Sequence, residues 1–130
     1  MHLRAGTYLL EPTVYAGCVL LLETSEEMPG WEYVYRVLMG MGERGLLRQF
    51  AAVAVATPKA WDREVGQPVA ERIRFAEHQR AAMLRALDEY NPGVPTVFGL
   101  DFGHTDPQVV IPYGGSMTVD GIGRTVTVTY

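Results

Sequence analysis

The 130-residue sequence is 48% hydrophobic and 20% charged, a composition typical of a single globular domain with a buried core. Its formal net charge is -4, with 11 basic residues scattered among 15 acidic ones, which argues against a nucleic-acid partner. Because apolar runs stay far below the roughly 18 residues of a membrane span and Met1–Arg4 begins no signal-peptide core, we expect one cytoplasmic domain over residues 1–130 without a membrane partner.

The first two thirds of the chain predict two β-α units. The apolar run Cys18–Leu22 is too short for a helix and indicates a buried strand. Apolar residues recur at helical spacing over Trp31–Arg44, and Gly45 is a suitable stop. A second short apolar run, Phe50–Ala56, precedes a long amphipathic helix over Gln67–Tyr90.

The last third of the chain changes to a β pattern. Glycine, proline and aspartate separate four predicted strands: Val94–Leu100, Gln108–Ile111, Ser116–Val119 and Arg124–Tyr130. Two β-α units followed by several strands indicate an α/β or α+β domain with a mixed sheet and two main helices, and we expect the α/β class.

No cofactor and no metal site are predicted. The sequence has no glycine-rich phosphate loop, and its three histidines have no second histidine or cysteine at a ligand spacing. His78, beside Glu77 on the polar side of the long predicted helix, is expected to be solvated.

His104 is the histidine whose position favours a catalytic role. It lies in the loop Asp101–Pro107, directly after an apolar run, and loops at strand ends commonly display catalytic groups. Gly103 allows close approach of another chain or a substrate. Three residues of the same loop could fix the tautomer of the His104 imidazole: Asp101, Thr105 and Asp106. The alternative is a turn histidine that caps its own loop.

Glu23 ends the apolar strand Cys18–Leu22. Its carboxylate either faces solvent at the sheet edge or points into a cleft, where it would need a partner. His104, from a neighbouring strand end, is one such partner, and the two would form the base-and-orienter half of a nucleophilic triad. The alternative is a polar helix-entry loop over Glu23–Glu27 in which Ser25 is the cap.

The nucleophile of such a triad is missing from the sequence. The serines are Ser25 and Ser116, and neither lies in a Gly-x-Ser-x-Gly elbow. Cys18 stands beside an apolar run and is expected to be buried and unreactive. As the single cysteine it forms no internal disulfide, which fits a reducing compartment.

Two segments together resemble the family of LD-carboxypeptidases and microcin C immunity proteins. Gly17–Glu27 is similar to the family's apolar strand that ends in a catalytic glutamate. Asp101–Pro107 followed by Ile111–Gly114 is similar to the family's Gly-His-Thr, then Pro, then Leu-Pro-x-Gly ending. Met39–Leu47 matches the order of elements between them, so the resemblance covers nearly the whole chain.

The resemblance implies a swivelling β/β/α-type C-terminal domain packed on an α/β N-terminal domain, with the active site between them. Glu23 and His104 match the family's triad glutamate and histidine, while the serine and oxyanion hole belong to the N-terminal domain, which this chain lacks. The implied chemistry is attack of that serine on an amide carbonyl, with His104 as base and then acid. One departure is Ala56-Thr57, where relatives have Gly-Arg before the proline.

Two classes of function follow from the sequence. The first is the C-terminal part of a serine carboxypeptidase or amidase that hydrolyses the L,D bond of murein peptides or the amide of a peptidyl-nucleotide toxin. No substrate-binding residue is assigned, because Trp31 could stack on a nucleotide but is expected to be a core aromatic of its helix. The second is an isolated, non-catalytic domain that forms a homodimer or binds a partner through the surface that the N-terminal domain would cover.

Overall fold

The computed structural model describes residues 10–61 and 66–130, so the start of the chain at Met1–Arg4 lies outside the described residues. Within these ranges the elements follow the order β1 (Val19–Leu22), α1 (Trp31–Glu43), β2 (Ala52–Ala56), α2 (Val69–Tyr90), β3 (Thr96–Leu100), β4 (Ser116–Asp120) and β5 (Thr125–Thr129). Short 3-10 turns lie over Pro12–Tyr15 and Leu47–Gln49.

β1, β2 and β3 form a parallel sheet with β2 in the middle. All residues of β2 are buried and alternate alanine with valine, because a central parallel strand is covered on both faces. β1 pairs only with β2 among the described strands, and each of its residues is partly buried. Since the strands are parallel, their C-terminal ends meet at one edge, which we call the carboxyl edge.

One face of this sheet, which we call the helix face, is covered by α1 and α2. Val53 and Val55 of β2 point into a buried cluster on this face. The cluster also contains Val34, Leu38, Leu47, Met83, Ala86 and Leu87. The two helices approach closely at Gly42, where an added Cβ would overlap the ring of Tyr90. The Tyr90 hydroxyl also donates a hydrogen bond to Glu43 Oε1 at 2.7 Å, which joins the ends of the helices.

The opposite face, which we call the hairpin face, packs against the C-terminal part of the chain. Ala54 and Ala56 of β2 are buried there with Phe102. Ile111 and Met117 pack against this cluster. Met117 belongs to β4, which pairs with β5 as an antiparallel hairpin. The C-terminal segment, including Met117 of the hairpin, thus packs on the side of the sheet that the helices leave open.

The predicted α/β fold class with two main helices is confirmed. Parallel and antiparallel pairings are both present, and they lie in two separate sheets. α2 begins at Val69, two residues after the predicted start at Gln67. Gln67 precedes Pro68, and a proline disfavours helical backbone at the residue before it.

Two predictions about exposed segments are wrong. Gln108–Ile111 forms no strand: two prolines bracket it, and a backbone hydrogen bond from Val109 N–H to Asp101 O at 2.6 Å ties it to the preceding loop. Cys18 is exposed rather than buried, because it precedes a strand at the edge of the described sheet. No helix in the described ranges combines the length and apolar character that crossing a membrane requires.

Candidate active site

The candidate active site lies at the carboxyl edge of the parallel sheet. Glu23 directly follows β1, and His104 lies in the loop after β3. β2 separates these two strands, so the prediction that they are neighbours is wrong. The loop after β3 therefore spans two strand spacings, about 10 Å, to bring His104 to Glu23.

His104 Nδ1 contacts Glu23 Oε1 across 81 residues of sequence. When the imidazole is neutral, a carboxylate at Nδ1 selects the tautomer that carries its proton there, because a carboxylate oxygen can only accept. Nε2 is then an acceptor, and it makes no hydrogen bond to any described residue. The His104 side chain is 44% exposed and that of Glu23 is 33% exposed. The pair thus presents an oriented base that a further group can reach.

Gly103 makes the contact between Glu23 and His104 possible. Its φ of +93° lies in the left-handed region that favours glycine. A Cβ added at this position would overlap the Glu23 carboxyl group. The predicted close approach at Gly103 is therefore to Glu23, a residue of the same chain.

The loop that carries His104 is anchored on β2 and on the hairpin face. Phe102 is 8% exposed and packs against Ala54 and Ala56. Thr57, directly after β2, donates its hydroxyl hydrogen bond to Asp101 Oδ1 at 3.3 Å. The Thr57 hydroxyl thus holds the first residue of this loop.

The neighbours that could have fixed the His104 tautomer do not contact its ring. Asp101 instead accepts the hydrogen bond from Thr57. The hydroxyl oxygen of Thr105 is buried and has no hydrogen-bond partner among the described residues. The short loop from Gly103 to Pro107 thus leaves orientation of the ring to Glu23, which comes from another strand.

The alternative, a polar helix-entry loop over Glu23–Glu27, is wrong in its assignment of Ser25 as the helix cap. α1 has Gly30 as its N-cap, and Ser25 accepts a backbone hydrogen bond from Met28 N–H through its carbonyl. Glu26 forms an exposed ion pair with Lys59 at 3.6 Å. Exposed pairs of this kind contribute at most about 1 kcal/mol.

Other singled-out residues lie away from the pair. His78 is exposed on α2, as predicted. Trp31 is 40% exposed at the first position of α1, so the prediction that it is a core aromatic is wrong: the buried residues of this helix begin at Val34. Neither Ser25 nor Ser116 forms a hydrogen bond to His104 in the described part of the chain.

A small cavity of about 140 Å³ lies on the helix face, near the ends of β2 and β3. Its lining is mainly apolar and includes Val55, Met83 and Phe98. Gln79, 1% exposed, also borders it and donates from Nε2 to Pro29 O at 2.5 Å, while its Oε1 has no partner among the described residues. The cavity does not include the Glu23–His104 pair, so concavity alone does not identify the candidate site.

The described residues contain no cluster of three or more His, Cys, Asp or Glu side chains that could hold a metal ion. The Glu23–His104 pair brings an imidazole and a carboxylate into contact at the carboxyl edge. Such a pair can accept a proton at Nε2 and stabilise the imidazolium that forms.

Comparison with known proteins gives these features a family context. A family model described as the LD-carboxypeptidase C-terminal domain matches residues 2–119. The fold is similar to that of an MccF-like protein from Streptococcus pneumoniae, solved in complex with AMP, with a TM-score of 0.71 and 24% sequence identity. The match covers 94% of this chain and 31% of that protein, so the chain spans about a third of its length. No curated protein sequence matches the chain significantly.

Proposed function

The chain belongs to the family of LD-carboxypeptidase C-terminal domains, and we propose that it supplies the glutamate and histidine of a serine-type catalytic triad. The observation that carries the proposal is the contact between His104 Nδ1 and Glu23 Oε1. In a triad the carboxylate holds the histidine in this tautomer and offsets its transient charge. The serine and the oxyanion donors would come from an N-terminal domain of the same enzyme.

The proposed reaction is hydrolysis of an amide bond through an acyl-enzyme. His104 Nε2 takes the serine proton as the serine oxygen attacks the carbonyl carbon, and the imidazolium then protonates the leaving amine as the C–N bond breaks. A water molecule attacks the acyl-enzyme, again with His104 as base, and the proton returns to the serine oxygen. Glu23 stays ionised throughout and stabilises the imidazolium in each step.

We propose a peptide amide as the substrate, in one of two forms. The family description supports the L,D bond of a murein peptide. The AMP bound to the MccF-like protein supports the amide of a peptidyl-nucleotide toxin. Competition with AMP separates the two substrates. AMP should inhibit the full-length enzyme if its substrate is a peptidyl-nucleotide, and should leave hydrolysis of murein tetrapeptide unchanged if its substrate is a murein peptide.

Exposed apolar side chains after His104 support a covering domain. Val109 and Val110 are 55% and 76% exposed, and Tyr113 is 98% exposed. The Tyr130 hydroxyl donates to Val110 O at 2.5 Å, so the C-terminal residue lies beside the same loop. Contiguous exposed apolar surface commonly marks an interaction site. Its position next to His104 fits an N-terminal domain that completes the active site.

The test compares the 130-residue chain with a full-length enzyme that carries an upstream serine domain. We expect no amidase activity above background from the chain alone. In the full-length enzyme, His104→Ala should lower turnover by roughly 10⁴-fold or more. His78→Ala is the control and should leave turnover unchanged, because His78 is exposed on the surface of α2. Hydrolysis by the purified chain that disappears in His104→Ala would contradict the proposal and indicate an unrecognised nucleophile.

The same exposed residues favour a second function, self-association of a non-catalytic domain. Sedimentation of the chain alone at micromolar concentration distinguishes the two proposals. A stable homodimer that forms no complex with a serine domain would support the second function. A monomer that binds the serine domain would support the first.

A further inference from the structure

β3 contains one residue more than its pairing with β2 requires. Val55 pairs with Phe98 and the next residue, Ala56, pairs with Leu100, so Gly99 has no partner in the ladder. The φ of Gly99 is +78°, in the left-handed region. An unpaired glycine with positive φ between two paired residues is a β-bulge, a feature that re-aims the strand after it.

The bulge changes the face to which the end of β3 belongs. In a regular strand, side chains alternate, so Phe98 and Leu100 would share a face. Instead, Phe98 packs against the helix-face cluster, while Leu100 joins Val97 on the hairpin face. Two side chains three positions apart share a face only if an extra residue lies between them, and Gly99 is that residue.

The pattern of β1 places Glu23, the residue directly after this strand, on the hairpin face. Leu22 packs on the helix face and Leu21 on the hairpin face, so continued alternation directs the Glu23 side chain to the hairpin face. Phe102 is buried in the hairpin-face cluster, two residues before His104. Leu100 before the loop and Phe102 within it therefore point to the face on which alternation places Glu23.

We propose that Gly99 is a positioning residue, whose bulge turns the side chains at the end of β3 from the helix face to the hairpin face and thereby directs the following loop so that His104 Nδ1 reaches Glu23. Without the bulge, Leu100 would point to the helix face, the side on which the Arg80 guanidinium lies 4.4 Å from the ring centroid of Phe98, and away from the cluster that buries Phe102. The catalytic value of this placement rests on the proposed function, whereas the placement itself does not.

Backbone strain can be varied at Gly99 without a steric clash. A Cβ added there meets nothing within 4 Å, so the Cβ itself costs only the strain of a positive φ. Valine is β-branched and disfavours this φ strongly, whereas asparagine tolerates it. Gly93, in the turn after α2, has a φ of +79° and equally open surroundings, so Gly93→Val is a matched control.

The experiment reads the His104 tautomer by nitrogen-proton NMR of the ¹⁵N-labelled chain in mildly alkaline buffer, with the signal assigned through His104→Gln. We expect wild type, Gly99→Asn and Gly93→Val to show the Nδ1–H form. Gly99→Val should lower the Nδ1–H fraction by roughly twofold or more, because the valine favours an extended backbone at this position, which would move the loop. A merely structural role would lower the melting temperature of both valine variants and leave the tautomer unchanged.

Two results overturn the proposal. One is an Nδ1–H fraction in Gly99→Val equal to that in Gly93→Val, and the other is a wild-type chain that lacks the Nδ1–H form. If Gly99→Val does not fold, Gly99→Ala and Gly99→Asn decide, since equal fractions in these two refute a dependence on the left-handed backbone. The tautomer measurement does not depend on enzyme activity, so it tests the placement of His104 alone. A failure of the proposed function would instead appear as turnover that survives His104→Ala.

Discussion

Glu23 and Glu26 are carboxylates in one loop with different partners. Glu23 contacts His104, whereas Glu26, with its side chain mostly exposed, pairs with Lys59. In the full-length enzyme, Glu23→Gln should lower turnover by roughly 10³- to 10⁴-fold, because an amide does not stabilise imidazolium as a carboxylate does. Substrate affinity should change much less. Steady-state kinetics of the variant measure both quantities.

Glu26→Gln is the matched control for this substitution. It removes an exposed carboxylate and a weak ion pair, so both turnover and melting temperature should stay close to wild type. If Glu23→Gln instead lowers the melting temperature while turnover per folded molecule stays near wild type, Glu23 is a structural loop carboxylate and its catalytic assignment fails.

Gly103 gives a second prediction at the level of single residues. Gly103→Ala would place a Cβ against the end of the flexible Glu23 side chain, which can move aside at little cost. We expect this displacement to lower turnover by roughly 10²-fold or more, since small misplacements of catalytic groups have effects of that size. The free energy of unfolding should fall only by the roughly 1–2 kcal/mol of backbone strain.

Gly93→Ala separates strain from displacement. Gly93 has a φ of +79° and open surroundings, so the alanine there should cost a similar free energy of unfolding without moving Glu23. Equal turnover in Gly103→Ala and Gly93→Ala would mean that the position of the Glu23 carboxylate does not limit the reaction.

Single residues show what the sequence can and cannot predict about the site. Glu23 and His104 are identifiable because each follows an apolar run, and resemblance to a family singles them out. The exposure of Cys18 and Trp31 is not predictable in the same way, because it depends on which strand lies at an edge and at which residue the buried face of a helix begins. The bond from Thr57 to Asp101 has no sequence signal, since it depends on β2 lying beside β3.

At the level of elements, the packing of α1 on α2 depends on a small residue at Gly42. Alanine there would overlap the root of the Tyr90 ring, which cannot move without disturbing α2. Gly42→Ala should therefore lower the free energy of unfolding by about 1–3 kcal/mol, the usual cost of overpacking, despite its better helix propensity. Thermal or urea unfolding of the chain measures the change.

Gly40→Ala in the same helix provides the comparison. A Cβ at Gly40 meets nothing within 4 Å, so only the helix propensity changes, and stability should rise by roughly 0.5–1 kcal/mol. If both variants are stabilised to the same extent, the contact between Gly42 and Tyr90 does not limit how closely the helices pack.

The elements themselves are predictable where periodicity is strong. α1 and α2 each have one apolar face, which packs in the core, and this gives a helical period in the sequence. β2 is an uninterrupted apolar run because all its residues are buried. The pattern of Val94–Leu100 is equally apolar, but an apolar run contains no information on register, so the bulge at Gly99 is not predictable. Gln108–Ile111 shows the opposite error, since its apolar residues serve an exposed loop.

For the whole molecule, the distribution of exposed apolar residues bears on how the domain is completed. Tyr113 is 98% exposed in the loop that follows His104, and Ile122 is 101% exposed in the turn between β4 and β5. The loop and the turn lie at opposite ends of the hairpin, roughly 16 Å apart for a five-residue strand. The proposed N-terminal domain would cover the end next to His104 and leave the other end in solvent.

This arrangement predicts a difference between two substitutions that are equivalent in the isolated chain. Tyr113→Ser and Ile122→Ser should each change the free energy of unfolding by no more than about 0.5 kcal/mol, because both side chains are already in water. Binding of a separately expressed serine domain, measured by calorimetry, should weaken by roughly tenfold or more for Tyr113→Ser, since a buried aromatic commonly contributes more than about 1.4 kcal/mol to an interface. Ile122→Ser should bind as wild type does. Equal affinities for the two variants would mean that the serine domain binds elsewhere on the chain. The exposed loop after His104 would then have no part in completing the active site.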